Sequence, residues 1–414
     1  MSTARIDTNT LAQRRSTLVF LAILVALGPL SIDMYIPAMP AIQSSLGTTV
    51  ASVHLTLSAY LAGFAIFHLF CGPLADRYGR IPLLSAGTVV FVLASLGCAA
   101  ATRIEELVLF RFIQGVGACV GPTLARAMTR DLYGPRDAAR ALSLIAMIMA
   151  LAPAVAPGLG GVVLSFAPWM TLFVFLALYG LLVLWIVRSK LVETLPQPQS
   201  LRPRNILKNY AQLMSDRRYI GVACGSALLY AGMMAYLASS GFIFIRLLGV
   251  PVQYFGLVFL TVVIGYMTGS ALSARYSIAL SSVRVLKGGL ALAVLATALM
   301  AGLNTVLPKS VLALVLPVLL YSASLGLSLP NATALALESF PMIAATASSL
   351  FGFIQMGLSA LVTSFVGPAV ASSAAPLLWA LVLINLSAAT LVYSTLNVRK
   401  GGQTNALNEE NQDP

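Results

Sequence analysis

The sequence predicts an all-α membrane protein of twelve spans in two six-helix halves, and three observations carry that expectation. Hydrophobic residues make up 59% of the 414 and charged residues only 9%, against about 25% charged in soluble globular chains. Apolar runs of roughly 20 residues, long enough to cross a bilayer as helices, recur along nearly the whole chain. The longest polar break, 189–217, divides those runs six and six. The runs do not alternate apolar and polar residues, which sets aside a membrane β-barrel.

The spans fall at 17–39, 50–71, 82–101, 105–128, 138–163 and 168–188, then at 218–242, 252–273, 284–303, 309–330, 345–367 and 374–395. They predict a first half at 1–188, a linker at 189–217, a second half at 218–396 and a polar tail at 397–414. The first run is too long for the core of a signal peptide and is read as a retained helix. An even number of spans puts both termini on one side. Nearly all of the 25 Lys and Arg fall in the termini and one set of alternating loops. Only Arg103, Arg246 and Lys309 fall in the opposite set, and Arg111 lies inside a span. This positive-inside bias predicts cytoplasmic termini, and it accounts for the net charge of +12 without a nucleic-acid partner. Cys71, Cys98, Cys119 and Cys224 have no metal spacing, and His54 and His68 share the second span without ligand spacing. No metal, cofactor or enzymatic nucleophile–base pair is expected from them.

Asp33 is an acid inside the first span with no basic neighbour in sequence. A carboxylate at membrane depth is costly and marks an ion or proton pathway, so Asp33 is the candidate proton carrier. Arg111, inside the fourth span, needs a partner or water for the same reason. Asp33 lies about six residues before the outer end of its span and Arg111 about six after the outer start of its own, so both sit roughly 9 Å below the outer surface. Arg111, Gln114 and Gly115 share one helix face. A direct or water-mediated contact would make Arg111 the modulator of the proton on Asp33. A static buried pair that only fixes helix packing is the alternative.

Between the second and third spans the chain reads Gly72-Pro-Leu-Ala-Asp76-Arg77-Tyr-Gly79-Arg80. This resembles the signature loop of the major facilitator superfamily. Glycine suits the tight turn, and Asp76 suits the positive N-terminus of a neighbouring helix. Arg111-Phe-Ile-Gln114-Gly115-Val-Gly117 resembles a second signature of that family. Leu74-Ala75-Asp76-Arg77-Tyr78 is echoed by Leu272-Ser273-Ala274-Arg275-Tyr276 at the equivalent loop of the second half. The resemblance implies two halves built as 3+3 inverted repeats. It also implies a cytoplasmic latch, with Asp76 facing the eleventh span near Thr346 and with Arg77 and Arg80 tied to acids such as Asp131. Ile81 stands where the family usually has a second basic residue, which weakens that latch.

The fifth span ends Ala152-Pro153-Ala-Val-Ala-Pro157-Gly158-Leu-Gly160-Gly161. It resembles the motif of exporters in the superfamily, with alanines in place of its two leading glycines. Prolines bend such a helix and glycines allow close packing. The stretch from Leu30 to Pro40, together with Leu55-Thr56-Leu-Ser58-Ala-Tyr60 and Met128-Thr-Arg130-Asp131-Leu-Tyr133, is similar to the Bcr/CflA branch of drug:proton antiporters. That branch includes bicyclomycin and phenicol exporters. The resemblance implies a monomeric transporter of the bacterial inner membrane that exports small organic molecules in exchange for protons. Its central cavity would be lined by Tyr35, Gln114, Tyr230, Met234, Gln355 and Asn331, the last of these at the end of the tenth span. The alternative is a dedicated exporter of an endogenous metabolite such as a siderophore.

Overall fold

The computed structural model describes residues 11–195, 203–340, 343–370 and 373–397, and among them all regular structure is helical. Residues 398–414 of the expected tail and the linker residues 196–202 lie outside the described residues, as do the side chains of 133–153. Eleven described helices are long and apolar enough to cross a membrane, and Ala154–Phe166 is the described end of a twelfth. The chain divides into two compact units, Met1–Leu201 with Pro251–Phe259, and Arg202–Val250 with Leu260–Pro414.

The first unit holds α1 (Leu11–Asp33), a 3-10 turn (Ile36–Ala38), α2 (Met39–Ser45), α3 (Val50–Tyr78), α4 (Arg80–Ala100), α5 (Ile104–Ala118), α6 (Val120–Phe166) and α7 (Met170–Lys190). Proline has no N–H and breaks a helical ladder. Pro37 therefore leaves the Asp33 carbonyl without its donor, and α1 ends at Asp33. Pro122 does the same to the Ala118 carbonyl, where α5 gives way to α6. In this unit α3 packs on α5, α1 on α6, and α4 on both α5 and α7.

The fourth and fifth spans were expected as separate runs, yet Val120–Phe166 is helical throughout its 47 residues. A straight rod of that length would reach about 70 Å. A Cβ on Gly121 would meet the Leu24 carbonyl, and one on Gly160 would lie 2.6 Å from the Met34 carbonyl. Leu24 and Met34 are less than one span apart along the first helix, so α6 folds back on itself between those glycines.

The second unit holds α8 (Pro203–Ser215), α9 (Arg217–Ser240, continued by a π-helical turn at Gly241–Leu247), α10 (Phe255–Leu280), α11 (Ser282–Val306), α12 (Leu312–Glu338), α13 (Ala344–Val366) and α14 (Ala375–Asn397). Here α11 packs on α12 and α14, and α9 packs on α12, α13 and α14. The helix α10 begins in the first unit and continues in this one.

Corresponding span pairs in the two units meet through glycine. A Cβ on Gly63 of α3 would strike the Phe112 carbonyl, and one on Gly115 of α5 would strike the Tyr60 carbonyl. In the second unit Gly269 of α10 meets the Ala323 carbonyl and Gly326 of α12 meets the Tyr266 carbonyl. Small residues let membrane helices approach closely where no hydrophobic driving force separates helix from lipid. The helix-ending turns also correspond. Gly79 (φ 100°) divides α3 from α4, and Ser281 (φ 75°) divides α10 from α11.

Several boundaries differ from expectation. The signature loop is mostly helix, because Gly72, Asp76 and Arg77 lie in the last turns of α3 and only Gly79 leaves it. The tenth span runs on to Glu338, so Asn331 lies inside α12 rather than at its end.

Two stability tests follow from these contacts. Ser281 adopts φ 75°, ψ 147°, a region nearly reserved for glycine that costs of order 1–3 kcal/mol elsewhere. Ser281→Gly is expected to raise the melting temperature of the detergent-purified protein, by the equivalent of about 1 kcal/mol. In the same assay Gly115→Val is expected to lower it sharply, since overpacking costs about 1–3 kcal/mol, and Gly288→Ala, whose Cβ would meet nothing within 4 Å, is expected to leave it unchanged.

Candidate functional site

Arg111 has no exposed surface. Its position on α5 faces the point where α1 gives out. There Tyr35 donates its N–H to Ile32 in a 3-10 pattern rather than to Ser31, so the Ser31 carbonyl is released from the helical ladder. Arg111 Nη1 donates to that carbonyl at 3.1 Å and to Gln114 Oε1 at 2.7 Å. Gln114 Nε2 in turn donates to the Ser95 hydroxyl on α4 at 2.8 Å. The guanidinium lies between the rings of Tyr35 and Tyr60, each with its centroid 4.4 Å away, and Phe173 of α7 closes the cage at 5.9 Å. Such cation–π contacts strengthen when desolvated. Among the described residues Nε and Nη2 have no hydrogen-bond partner.

The rings are fixed by a second set of bonds. Thr56 gives its hydroxyl proton to the Val53 carbonyl at 2.6 Å, so Tyr35 is the donor in the 2.5 Å contact with Thr56. Ser31 likewise donates to the Gly28 carbonyl at 2.8 Å, so Tyr60 donates to Ser31 at 2.5 Å.

Asp33 is 5% exposed. Among the described residues its carboxylate makes no hydrogen bond and no ion pair. The expected neighbourhood of Asp33 and Arg111 therefore takes a different form. Arg111 holds the main chain two residues before Asp33 and leaves the carboxylate itself unpaired.

At the far end of α3, Arg80 pairs with Asp76 at 2.7 Å and with Asp131 of α6 at 3.4 Å. Arg77 is exposed and has no ion partner among the described residues. Glu193, just after α7, completes the cluster. Its carboxylate accepts the N–H groups of Arg80 at 2.9 Å and Ile81 at 3.0 Å, the orphan donors at the start of α4. Thr194 donates its hydroxyl to Asp131 at 3.0 Å. Glycine suits position 79, whose φ of 100° strains any other residue and where a Cβ would lie 2.7 Å from Glu193 Oε2.

The Pro- and Gly-containing stretch of α6 has two glycine faces. Gly160 lies against Met34 and Pro37, while Gly161 lies against the Val252 carbonyl and Gly158 against Gly256 at the start of α10. Pro157 falls in the same helix, and the side chain of Pro153 lies outside the described residues.

The expected cavity residues are held differently from one another. Tyr35 and Gln114 belong to the Arg111 cage. Tyr230 and Met234 of α9 are half-buried, as is Gln355 of α13. Asn331 directs its amide within its own unit: Nδ2 donates to Ser273 at 2.7 Å and to the Leu327 carbonyl at 2.8 Å, and Oδ1 accepts from Ser277 at 2.8 Å. Sequence reasoning missed Ser31, Ser95, Phe173 and Glu193 as members of these sites. Glu193 carried a signal, being one of two acids in the basic linker.

These features define a multi-pass membrane transporter, and the chain belongs to the Major Facilitator Superfamily, whose sequence model matches residues 21–364. It is 33% identical over 365 residues to an uncharacterised MFS-type transporter, YdgK, of Bacillus subtilis, covering 87% of this chain and 90% of the relative. It is 29% identical over 372 residues to a bicyclomycin resistance protein homolog of Haemophilus influenzae, covering 89% and 93%. Over 346 residues it is 28% identical to multidrug resistance protein D of Escherichia coli, covering 82% and 85%. The resemblance to the Bcr/CflA branch stands with these relatives. Among solved structures, a bacterial homolog of the human lysosomal transporter Spinster aligns with TM-score 0.74 at 17% identity, covering 94% of this chain and 98% of that one. The xylose transporter XylE of E. coli aligns with TM-score 0.71 at 14% identity, covering 92% and 98%. At those identities the likeness is one of fold.

The cap at α4 gives a direct test. Glu193→Ala is expected to destabilise the protein by about 1 kcal/mol, as loss of a helix cap does. Thermal melts should show Glu193→Gln, which keeps one acceptor oxygen, losing less.

Proposed function

We propose that the protein is a proton-coupled antiporter that exports small organic molecules, antibiotics among them, by alternating access of its two halves. The observation that carries the reading is the Asp33 carboxylate, nearly sealed from solvent and without a partner among the described residues. A carboxylate held so at membrane depth has no packing contribution to explain its cost, and a role in carrying a proton does explain it. The relatives named for bicyclomycin and multidrug resistance support drugs as the cargo.

In this reading Asp33 exchanges the proton. Arg111 acts on it through the Ser31 carbonyl and the end of α1, and Gln114 holds Arg111 in place. Substrate enters from the cytoplasm, and release outward accompanies proton uptake at Asp33. Each charge moved across the membrane supplies about 2.3 kcal/mol per 100 mV. Gly72, Asp76, Arg77, Gly79, Arg80 and Asp131 form the cytoplasmic latch, and Pro153, Pro157, Gly158, Gly160 and Gly161 the flexible exporter segment. Tyr35, Tyr230, Met234, Asn331 and Gln355 line the path of the substrate. The half boundaries are those expected from the spans, 1–188 and 218–396. The protein works as a monomer in the bacterial inner membrane with both termini cytoplasmic, in keeping with the basic loops.

Inverted membrane vesicles with an imposed acid-inside gradient test the reading, using labelled bicyclomycin, a phenicol and a wider drug panel. Wild type is expected to accumulate drug under the gradient. Asp33→Asn, expressed equally, is expected to fall to the level of vesicles without the transporter. Gradient-driven uptake that survives in Asp33→Asn overturns the assignment of the proton, and uptake of no drug by the wild type overturns the assignment of the cargo.

A further inference from the structure

The linker helix α8 is tightly joined to the membrane part of the second unit. It packs on α9 and α13, with Leu213 fully buried and Tyr210 half-buried. A single residue, Asp216, separates it from α9, a membrane span. The bilayer surface therefore lies within a turn or two of α8.

The rest of its apolar side is not covered by protein. Leu207 is 67% exposed and Met214 59% exposed, and Ala211 between them is exposed as well. These residues follow i, i+4, i+7 and form one stripe. The stripe adjoins the buried Leu213 and Tyr210 on one side. On its other side comes Lys208, exposed and without an ion partner among the described residues. Exposed Arg217 at the start of α9 is unpaired in the same way.

The nearby acids are already engaged. Asp216 accepts the N–H of Tyr219 at 2.6 Å as the cap of α9, and Glu338 pairs with Arg218 at 3.0 Å. The free charge around the stripe is thus positive. An apolar stripe edged by unpaired lysine and arginine, at the height where a span enters the bilayer, has the chemistry of a helix lying in an anionic headgroup layer.

We propose that α8 is a lipid-contacting helix, with Leu207, Ala211 and Met214 immersed at the headgroup–acyl boundary and with Lys208 and Arg217 reaching to the phosphates of anionic phospholipids. Long basic side chains reach polar groups in this way while their stems stay against apolar surface. The inference concerns the bilayer around the protein and holds whatever cargo is carried.

The test uses the full-length protein carrying Cys224→Ser, in nanodiscs of phosphatidylcholine alone or with added phosphatidylglycerol. Nitroxides are attached at Leu207→Cys, at Met214→Cys, and at Gln212→Cys on the exposed polar side of α8. With phosphatidylglycerol present, nitroxides at 207 and 214 are expected to meet dissolved oxygen several-fold more readily than a water-soluble nickel chelate. At 212 the order is expected to reverse. Lys208→Gln combined with Arg217→Gln is expected to return 207 and 214 toward the behaviour of 212. Free access of the chelate to 207 and 214 in both lipids, as for a stripe reserved for a soluble protein partner, overturns the proposal. Immersion that is equal in both lipids and indifferent to the double substitution overturns the anionic headgroup as the ligand.

Discussion

A guanidinium with no exposed surface has to find acceptors inside the protein, and Arg111 finds one at a carbonyl that the first span releases as it breaks. Much of the first unit is arranged around that bond. The break follows from Pro37, the aromatic walls come from α3 and α7, and the glycines at 63 and 115 bring α3 and α5 close enough for Tyr60 to lie over the cation. The bond is made to the main chain, so it tethers the end of α1 without neutralising Asp33. The cation is thus tied to the main chain two residues before the buried acid, and the two side chains make no ion pair among the described residues.

The same economy governs the helix ends. Within a bilayer every main-chain polar group must be paired, and the chain meets this demand with unusual partners where its helices stop. Arg111 serves the end of α1, Glu193 serves the start of α4, and Asp216 serves the start of α9. Each partner is charged, and each comes from outside the helix body that it serves.

The spans and the signature motifs were legible because they rest on composition and on local spacing. The run of apolar residues decides a span, and the nine residues from Gly72 to Arg80 decide the family. The isolation of Asp33 in sequence likewise singled it out. The Arg111 cage was less legible. It joins Ser31, Tyr60, Ser95 and Phe173 from four helices, and no periodicity in one helix reports on its neighbours. Ser95 looks like any small residue of an apolar span until Gln114 is known to reach it. Asn331 was placed at a helix end because the span was read as 309–330, whereas α12 runs on to Glu338 and serines on α10 satisfy Asn331 in mid-helix. The continuity of α6 was hidden because the apolar runs 105–128 and 138–163 are separated by a polar stretch that nonetheless stays helical.

The contact between Gly79 and Glu193 bears on substitution at both positions. No side chain at 79 can coexist with the carboxylate in its present place, since even a methyl group would fall inside contact distance of Glu193 Oε2. The two positions lie more than a hundred residues apart, yet they meet at one contact. Loss of the acid would remove the crowding but leave the backbone angle of φ 100°, so position 79 would still favour glycine, while the acid would still be needed to cap α4 whatever stood at 79.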